Sequence, residues 1–176
     1  MSKTTKQITK IKINGEGLKG LDVSYMYPQE KDNMIWNNEH IEKRKHPIHQ
    51  DLENEINVLR NFTLELCGYY NSGISLMDKD QLILDTHVTE IVIGGSDSFK
   101  ISGEMRTLGD KFIKVGTPEI ESADGYEYFG AVMAVIAKIT EETHEYMAGK
   151  KKLDEAAFMM KFAKMKNDDV MVKEFA

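Results

Sequence analysis

Hydrophobic and polar residues alternate near the start of the chain: Ile11 and Ile13 are set between Lys10, Lys12 and Asn14, and Leu21, Val23, Tyr25 and Tyr27 between Asp22, Ser24 and Met26. With the turn residues Asn14-Gly15-Glu16-Gly17 between the two runs, the pattern predicts a strand, a turn and a second strand that Pro28 closes. Residues 29–47 are polar apart from Met34, Ile35 and Trp36, which predict one short strand or a loop anchor. The period then changes. Leu52, Ile56, Leu59, Phe62, Leu66 and Tyr70 recur at steps of three and four, predicting a helix of about five turns that Asp51 caps and Asn71-Ser72-Gly73 ends. Glu53 and Glu55 in its first turn favour the helix dipole.

Residues 74–86 mix Ile74, Leu76, Leu82, Ile83 and Leu84 with acidic residues and read as a loop followed by a short strand. From 87 to 116 the β-branched run Val88 to Ile93, the turn Gly94-Gly95-Ser96-Asp97 and the alternation of Phe99, Ile101, Gly103 and Met105 predict a three-stranded antiparallel meander, completed by Phe112 to Val115. A second long helix is expected to open at Asp124, with Glu127 completing a capping box, and to run through Phe129, Val132, Ile136, Ile139 and Met147 to Gly149. Residues 153–166 form a third helical pattern. These elements predict an α+β fold: an antiparallel sheet of about five strands, two long helices on one face and a C-terminal amphipathic helix. One domain over 1–149 is expected, followed by a basic linker and C-terminal helix or tail over 150–176.

Composition narrows the class. Hydrophobic residues at 41% and charged residues at 30% exclude a chain disordered along most of its length. The longest apolar run, Ala131 to Ala137, is too short to cross a bilayer, which takes ~20 residues. Residues 1–20 lack the apolar core of a secretory signal, so a cytoplasmic protein is expected. The net charge of -6 is unevenly spread. Lys3, Lys6, Lys10, Lys12 and Lys19 make the first twenty residues basic, Lys150, Lys151, Lys152, Lys161, Lys164 and Lys166 do the same near the end, and the body between is acidic.

Few residues suggest chemistry. The single cysteine, Cys67, makes no internal disulfide and reads as a small core residue inside a helical stretch. His46, His49 and Asp51 have the content of a divalent-metal site, but Asp51 stands where a helix cap is needed, and no metal or other cofactor is expected. Gly15, Gly17 and Gly20 spell a dinucleotide fingerprint in the wrong place, between two strands instead of at a strand-to-helix turn. Neither a Gly-x-Ser-x-Gly elbow nor a His-Glu-x-x-His helix is present, and His144 beside Glu141, Glu142 and Glu145 reads as a solvated helix face, so the chain is expected to bind and not to catalyse.

Two surfaces are expected to bind. Lys10, Lys12, Lys19, Lys150, Lys151 and Lys152 can neutralise phosphates, while Tyr25, Tyr27 and Trp36 can stack on bases. Both long helices are acidic and unsuited to a duplex groove, which points to single strands. Phe158, Met159, Phe162 and Met165 form an apolar face on the C-terminal helix, either docked on the chain's own domain or offered for self-association or to a host protein.

Several segments together resemble a group of small proteins of tailed phages of gut bacteria: His49-Gln50-Asp51-Leu52 with Leu59-Arg60, the Gly94-Gly95 turn leading to Phe99-Lys100-Ile101-Ser102-Gly103, the Leu108 to Gly116 strand with Thr117-Pro118, and His144 to Lys150. The resemblance covers roughly residues 40–150. It implies a viral origin and a role in the host cytoplasm, beside DNA replication and recombination, and carries over no catalytic residue. The expected function is therefore a non-enzymatic accessory that binds single-stranded nucleic acid. Two alternatives stay open: a host-defence antagonist that binds a host protein or sequesters a nucleotide signal as a homo-oligomer, and a virion or scaffold component.

Overall fold

The computed structural model describes residues 6–15, 19–31, 34–70, 79–107 and 109–150, with the backbone alone for residues 28–31 and 34–38. The expected C-terminal helix, with Phe158, Met159, Phe162 and Met165, and the lysines Lys151 and Lys152 lie outside the described residues. The elements run β1 (Gln7–Asn14), β2 (Gly20–Lys31), β3 (Met34–Arg44), α1 (Gln50–Leu66), α2 (Lys79–Leu84), β4 (Thr86–Gly94), β5 (Ser98–Arg106), β6 (Phe112–Gly116), β7 (Ile120–Glu121), a 3-10 turn (Ser122–Asp124) and α3 (Phe129–Met147). The strands form one antiparallel sheet in the order β3-β2-β1-β4-β5-β6, with β7 also on β5. The class is α+β, as the residue pattern predicts.

The sheet consists of two three-stranded meanders joined where β1 pairs with β4, Ile11 opposite Ile91. Each meander is followed by a long helix. A step of eighty residues relates the halves: Ile8 to Val88, Ile11 to Ile91 and Ile13 to Ile93 on the strands, then Leu52 to Val132, Ile56 to Ile136, Leu59 to Ile139 and Thr63 to Thr143 on the helices, all of them buried. Even the irregularities repeat. β1 shifts register between Ile8 and Lys10, and β4 between Val88 and Glu90. The extra residue of each bulge is a threonine whose hydroxyl donates across the ladder, Thr9 to the Ser24 carbonyl at 3.4 Å and Thr89 to the Ser102 carbonyl at 3.3 Å. A bulge keeps residues three apart on the same face, which is why Ile8 and Ile11, and Val88 and Ile91, all point to the core.

Both long helices lie on one face. Leu52, Ile56 and Leu59 of α1 and Val132, Ile136 and Ile139 of α3 close over Ile11, Leu21, Val23, Tyr25, Ile91, Phe99 and Ile101. Burying each large apolar side chain contributes ~1.5 to 3 kcal/mol. A smaller cluster of Leu64, Leu82, Met105 and Val115 sits under α2. Half-buried Cys67 packs there, burial pushing its thiol above the ordinary value, which suits a core residue and not a nucleophile.

Several details differ from the sequence reading, among them the end of α1, which stops at Leu66, short of Tyr70 and Asn71. β2 continues through Pro28 to Lys31, because past Met26 it has a described neighbour only on the β3 side, and an edge position tolerates the missing N–H. β3 is an eleven-residue strand, polar because it is the sheet's edge. The cap of α1 is His49, not Asp51: its Nδ1 accepts from the Leu52 amide at 3.3 Å. Leu82, Ile83 and Leu84 belong to a short helix, in which Leu82 is buried and Leu84 exposed. Asp124 closes the 3-10 turn by accepting from the Glu121 amide at 2.7 Å, and the long helix starts later, at Phe129.

Candidate functional site

The open face of the sheet is the first candidate. Alternation places Lys10, Lys12, Lys43, Lys100, Arg106 and Lys114 on the side away from the helices, where no described element covers them. Among the described residues the carboxylates on that face include Asp22, Glu39, Glu90, Glu104 and, on β7 opposite Ser98, Glu121, so the face carries both signs of charge. Lys10 pairs with Glu90 at 2.7 Å and Lys43 reaches Asp22 at 3.8 Å, whereas Lys12 and Lys100 are exposed. A shallow depression of about 230 Å³ runs between Lys10, Lys12, Asp22, Ser24, Glu39, Ile41 and Lys43. Lys19, with Lys43 and Lys45, lines a second hollow at the end of the same strands. The helix side is acidic, with Glu53, Glu55, Glu65, Glu127, Glu141, Glu142 and Glu145 against Arg60, Lys138 and Lys150.

The sequence-derived site is thus divided. Lys10, Lys12 and Lys19 come together. Tyr25 does not join them: it is fully buried on the helix side and its ring offers no face to a base. Tyr27 lies half-buried on that same side. Trp36 stands on β3 opposite Gln29. Lys150, just past the end of α3, is held by carboxylates on the helix side.

There the Lys150 ammonium bonds Asp51 at 2.9 Å and Glu142 and Glu145 at 2.8 Å each. His49, Asp51 and Glu142 bring potential ligand atoms within 4.8 Å of one another, a metal-like grouping. The chemistry fits an ammonium better. The His49 Nδ1 lone pair is taken by the Leu52 amide, so Nε2 carries the hydrogen and donates it to the Glu142 carbonyl at 3.3 Å. Donating to three carboxylates raises the Lys150 pKa, and the bond to Lys150 holds the Asp51 carboxyl below its ordinary value. A depressed carboxyl stabilises the fold above its unfolded pKa of ~3.9, and that contribution is lost as the pH falls through the folded value. The difference in melting temperature between the native chain and Lys150→Met is therefore expected to be largest near neutrality and to shrink below about pH 4. A melting series from pH 7 to pH 3 checks this, and a difference that widens toward acid contradicts it.

The second candidate is a cleft of about 580 Å³ between the start of β1, the β4–β5 turn and α3. Ile8, Ile93, Met133 and Ile136 make its floor, and Lys6, Ser96, Thr140 and His144 its polar rim. Lys6 bonds Glu42 and lies 3.4 Å from the centre of the Tyr25 ring. Burial works against the Lys6 ammonium, but the bond to Glu42 and the interactions with Tyr25 and Tyr27 together outweigh it, and the pKa is raised. Partial burial, then the nearby Lys6 charge, lowers that of His144, keeping it neutral at pH 7. No sequence motif announced this cleft, since its rim comes from three separate elements.

Comparison with protein-family models, curated proteins and solved structures found no match. No helix among the described residues is long and apolar enough to cross a membrane.

Proposed function

We propose that the chain is a non-enzymatic protein that binds single-stranded nucleic acid across the open face of its sheet, as a viral accessory of the kind the resemblance implies. One observation carries the reading: the face that no described element covers gathers Lys10, Lys12, Lys43 and Lys100, with Lys12 and Lys100 exposed, while the helix side carries more acidic than basic side chains. An anionic strand is attracted to one face and repelled from the other, which orients it. With Tyr25 buried, the lysines supply the main attraction, so binding is expected to be steeply salt-dependent.

Each phosphate contact on a single strand contributes about 0.7 to the slope of log K against log salt, so Lys12→Ala/Lys100→Ala is expected to flatten that slope by about 1.4. Lys138→Ala, on the helix side, leaves it unchanged. Fluorescence anisotropy with a labelled oligonucleotide at several salt concentrations measures both. Absence of binding at low salt, or equal loss in the Lys138 variant, would sink the proposal.

The cleft supports a second reading, sequestration of a nucleotide signal. Its volume lies within the ~300 to 1,000 Å³ of small-molecule pockets, and its apolar floor beneath Lys6 suits a base below and a phosphate above. A thermal-shift panel of nucleotides tests it, since a ligand at 100 times its Kd adds about 2.7 kcal/mol.

A further inference from the structure

β3 is the long free edge of the sheet: among the described residues it pairs only with β2, leaving a row of backbone donors and acceptors on its other side. Near its middle, Ile41 is 53% exposed on the open face, an aliphatic side chain flanked on that face by Glu39 and Lys43. His40 and Glu42 occupy the alternate, helix-side positions.

We infer that this edge is a homodimer interface, in which β3 pairs antiparallel with β3 of a second copy about a two-fold axis through Ile41, extending the sheet across both copies. The register argues for itself. With Ile41 on the axis, Ile41 faces the partner's Ile41, Glu39 faces the partner's Lys43 and Lys43 the partner's Glu39 on the open side, and His40 faces the partner's Glu42 on the helix side. Every neighbouring two-fold register is worse. An axis at residue 42 sets Glu42 against itself, one at 39 sets Glu39 against itself, and one at 43 sets Lys43 against itself. An axis at 40 sets His40 against itself and Ile41 against a glutamate. Directly opposite residues interact at close range, so opposite charges in these positions attract and like charges repel. Registers that mix the two faces turn one copy over and set apolar positions against charged ones. Charges along a lone edge strand deter pairing with arbitrary strands. The same charges, arranged so that they complement their own sequence reversed, select one partner, a second copy of this chain.

The inference does not rest on nucleic-acid binding, and its test uses none of the residues altered above. Sedimentation equilibrium of the full chain is expected to give a dimer, Glu39→Lys and Lys43→Glu each to give a monomer, and Glu39→Lys/Lys43→Glu, which swaps both partners, to restore the dimer. Crosslinking fixes the register independently. Directly opposed antiparallel residues have Cα atoms about 4.5 or 5.5 Å apart, both within the 4.4 to 6.8 Å that a disulfide spans, so Ile41→Cys is expected to yield a covalent dimer on mild oxidation. Glu39→Cys is not, because the two copies of residue 39 stand about 13 Å apart along the strands. A monomeric native chain overturns the inference. So does a dimer indifferent to Glu39→Lys, a charge-swapped double variant that stays monomeric, or crosslinking as efficient at 39 as at 41.

Discussion

Gly20→Ala is expected to lower the melting temperature by about 6 to 12 °C, the shift that ~3 kcal/mol produces in a domain of this size. Two separate costs lead there. Gly20 has φ +97°, where an L-residue is strained by about 1 to 2 kcal/mol. A Cβ at this position would also meet the Arg44 carbonyl oxygen at 1.8 Å, its carbon at 2.7 Å and the Tyr146 hydroxyl at 3.0 Å. The first two are backbone atoms of the last residue of β3 and cannot swing aside as a side chain tip does, so the β2–β3 ladder must open locally. Gly95→Ala is the control: its φ is +68° but nothing lies within 4 Å of the added carbon, so it incurs the strain alone. Thermal melts of the two variants side by side separate conformational strain from steric collision, and equal shifts would remove the collision from the account.

Where a segment buries one face, its periodicity announced the structure. Apart from the bulges at Thr9 and Thr89, β1, β2, β4 and β5 alternate because Ile11, Val23, Ile91 and Ile101 meet the helices while Lys12, Asp22, Glu90 and Lys100 lie on the open face. β3 was obscure for the opposite reason. An edge strand with Ile41 exposed on one side and Glu42 half-exposed on the other has no apolar stripe to reveal it. Leu82-Ile83-Leu84 misled because a short apolar run has the same appearance in strand and helix. The repeat is hard to see because the outward positions do not share it, although several inward ones are identical, as Ile11 and Ile91, Ile13 and Ile93, Ile56 and Ile136, and Thr63 and Thr143 are. Lys10 answers to Glu90 and Arg60 to Thr140, and α2 is inserted before the second meander, so only the inward positions keep the eighty-residue step. Of the candidate site, charge was legible and direction was not: alternation showed that Lys10 and Lys12 share a face, but Tyr25 belongs to the buried set with Val23 for the same reason, and Lys150 depends on a helix end meeting the start of α1.

Tyr146→Ala is expected to be at least as damaging as the change at Gly20, about 3 to 5 kcal/mol, because it empties a fully buried aromatic site between α3 and the segment joining β3 to α1. The side chain holds that junction in two ways. Its ring lies 4.4 Å from the ring of His46, and its hydroxyl donates to the His46 carbonyl at 2.6 Å. Tyr146→Phe keeps the ring and deletes the donor, leaving a carbonyl without that partner, and is expected to cost about 1 to 3 kcal/mol. Urea denaturation of both variants divides the total between packing and polar satisfaction. A cycle with Gly20→Ala then decides what the crowding at Gly20 consists of. The Tyr146 hydroxyl is only the third-nearest atom to the added Cβ, and the Arg44 backbone is the nearest. Removing the hydroxyl should therefore leave the Gly20→Ala penalty nearly intact. A coupling above about 1 kcal/mol would mean that the tyrosine, and not the β3 backbone, is what forbids a side chain there.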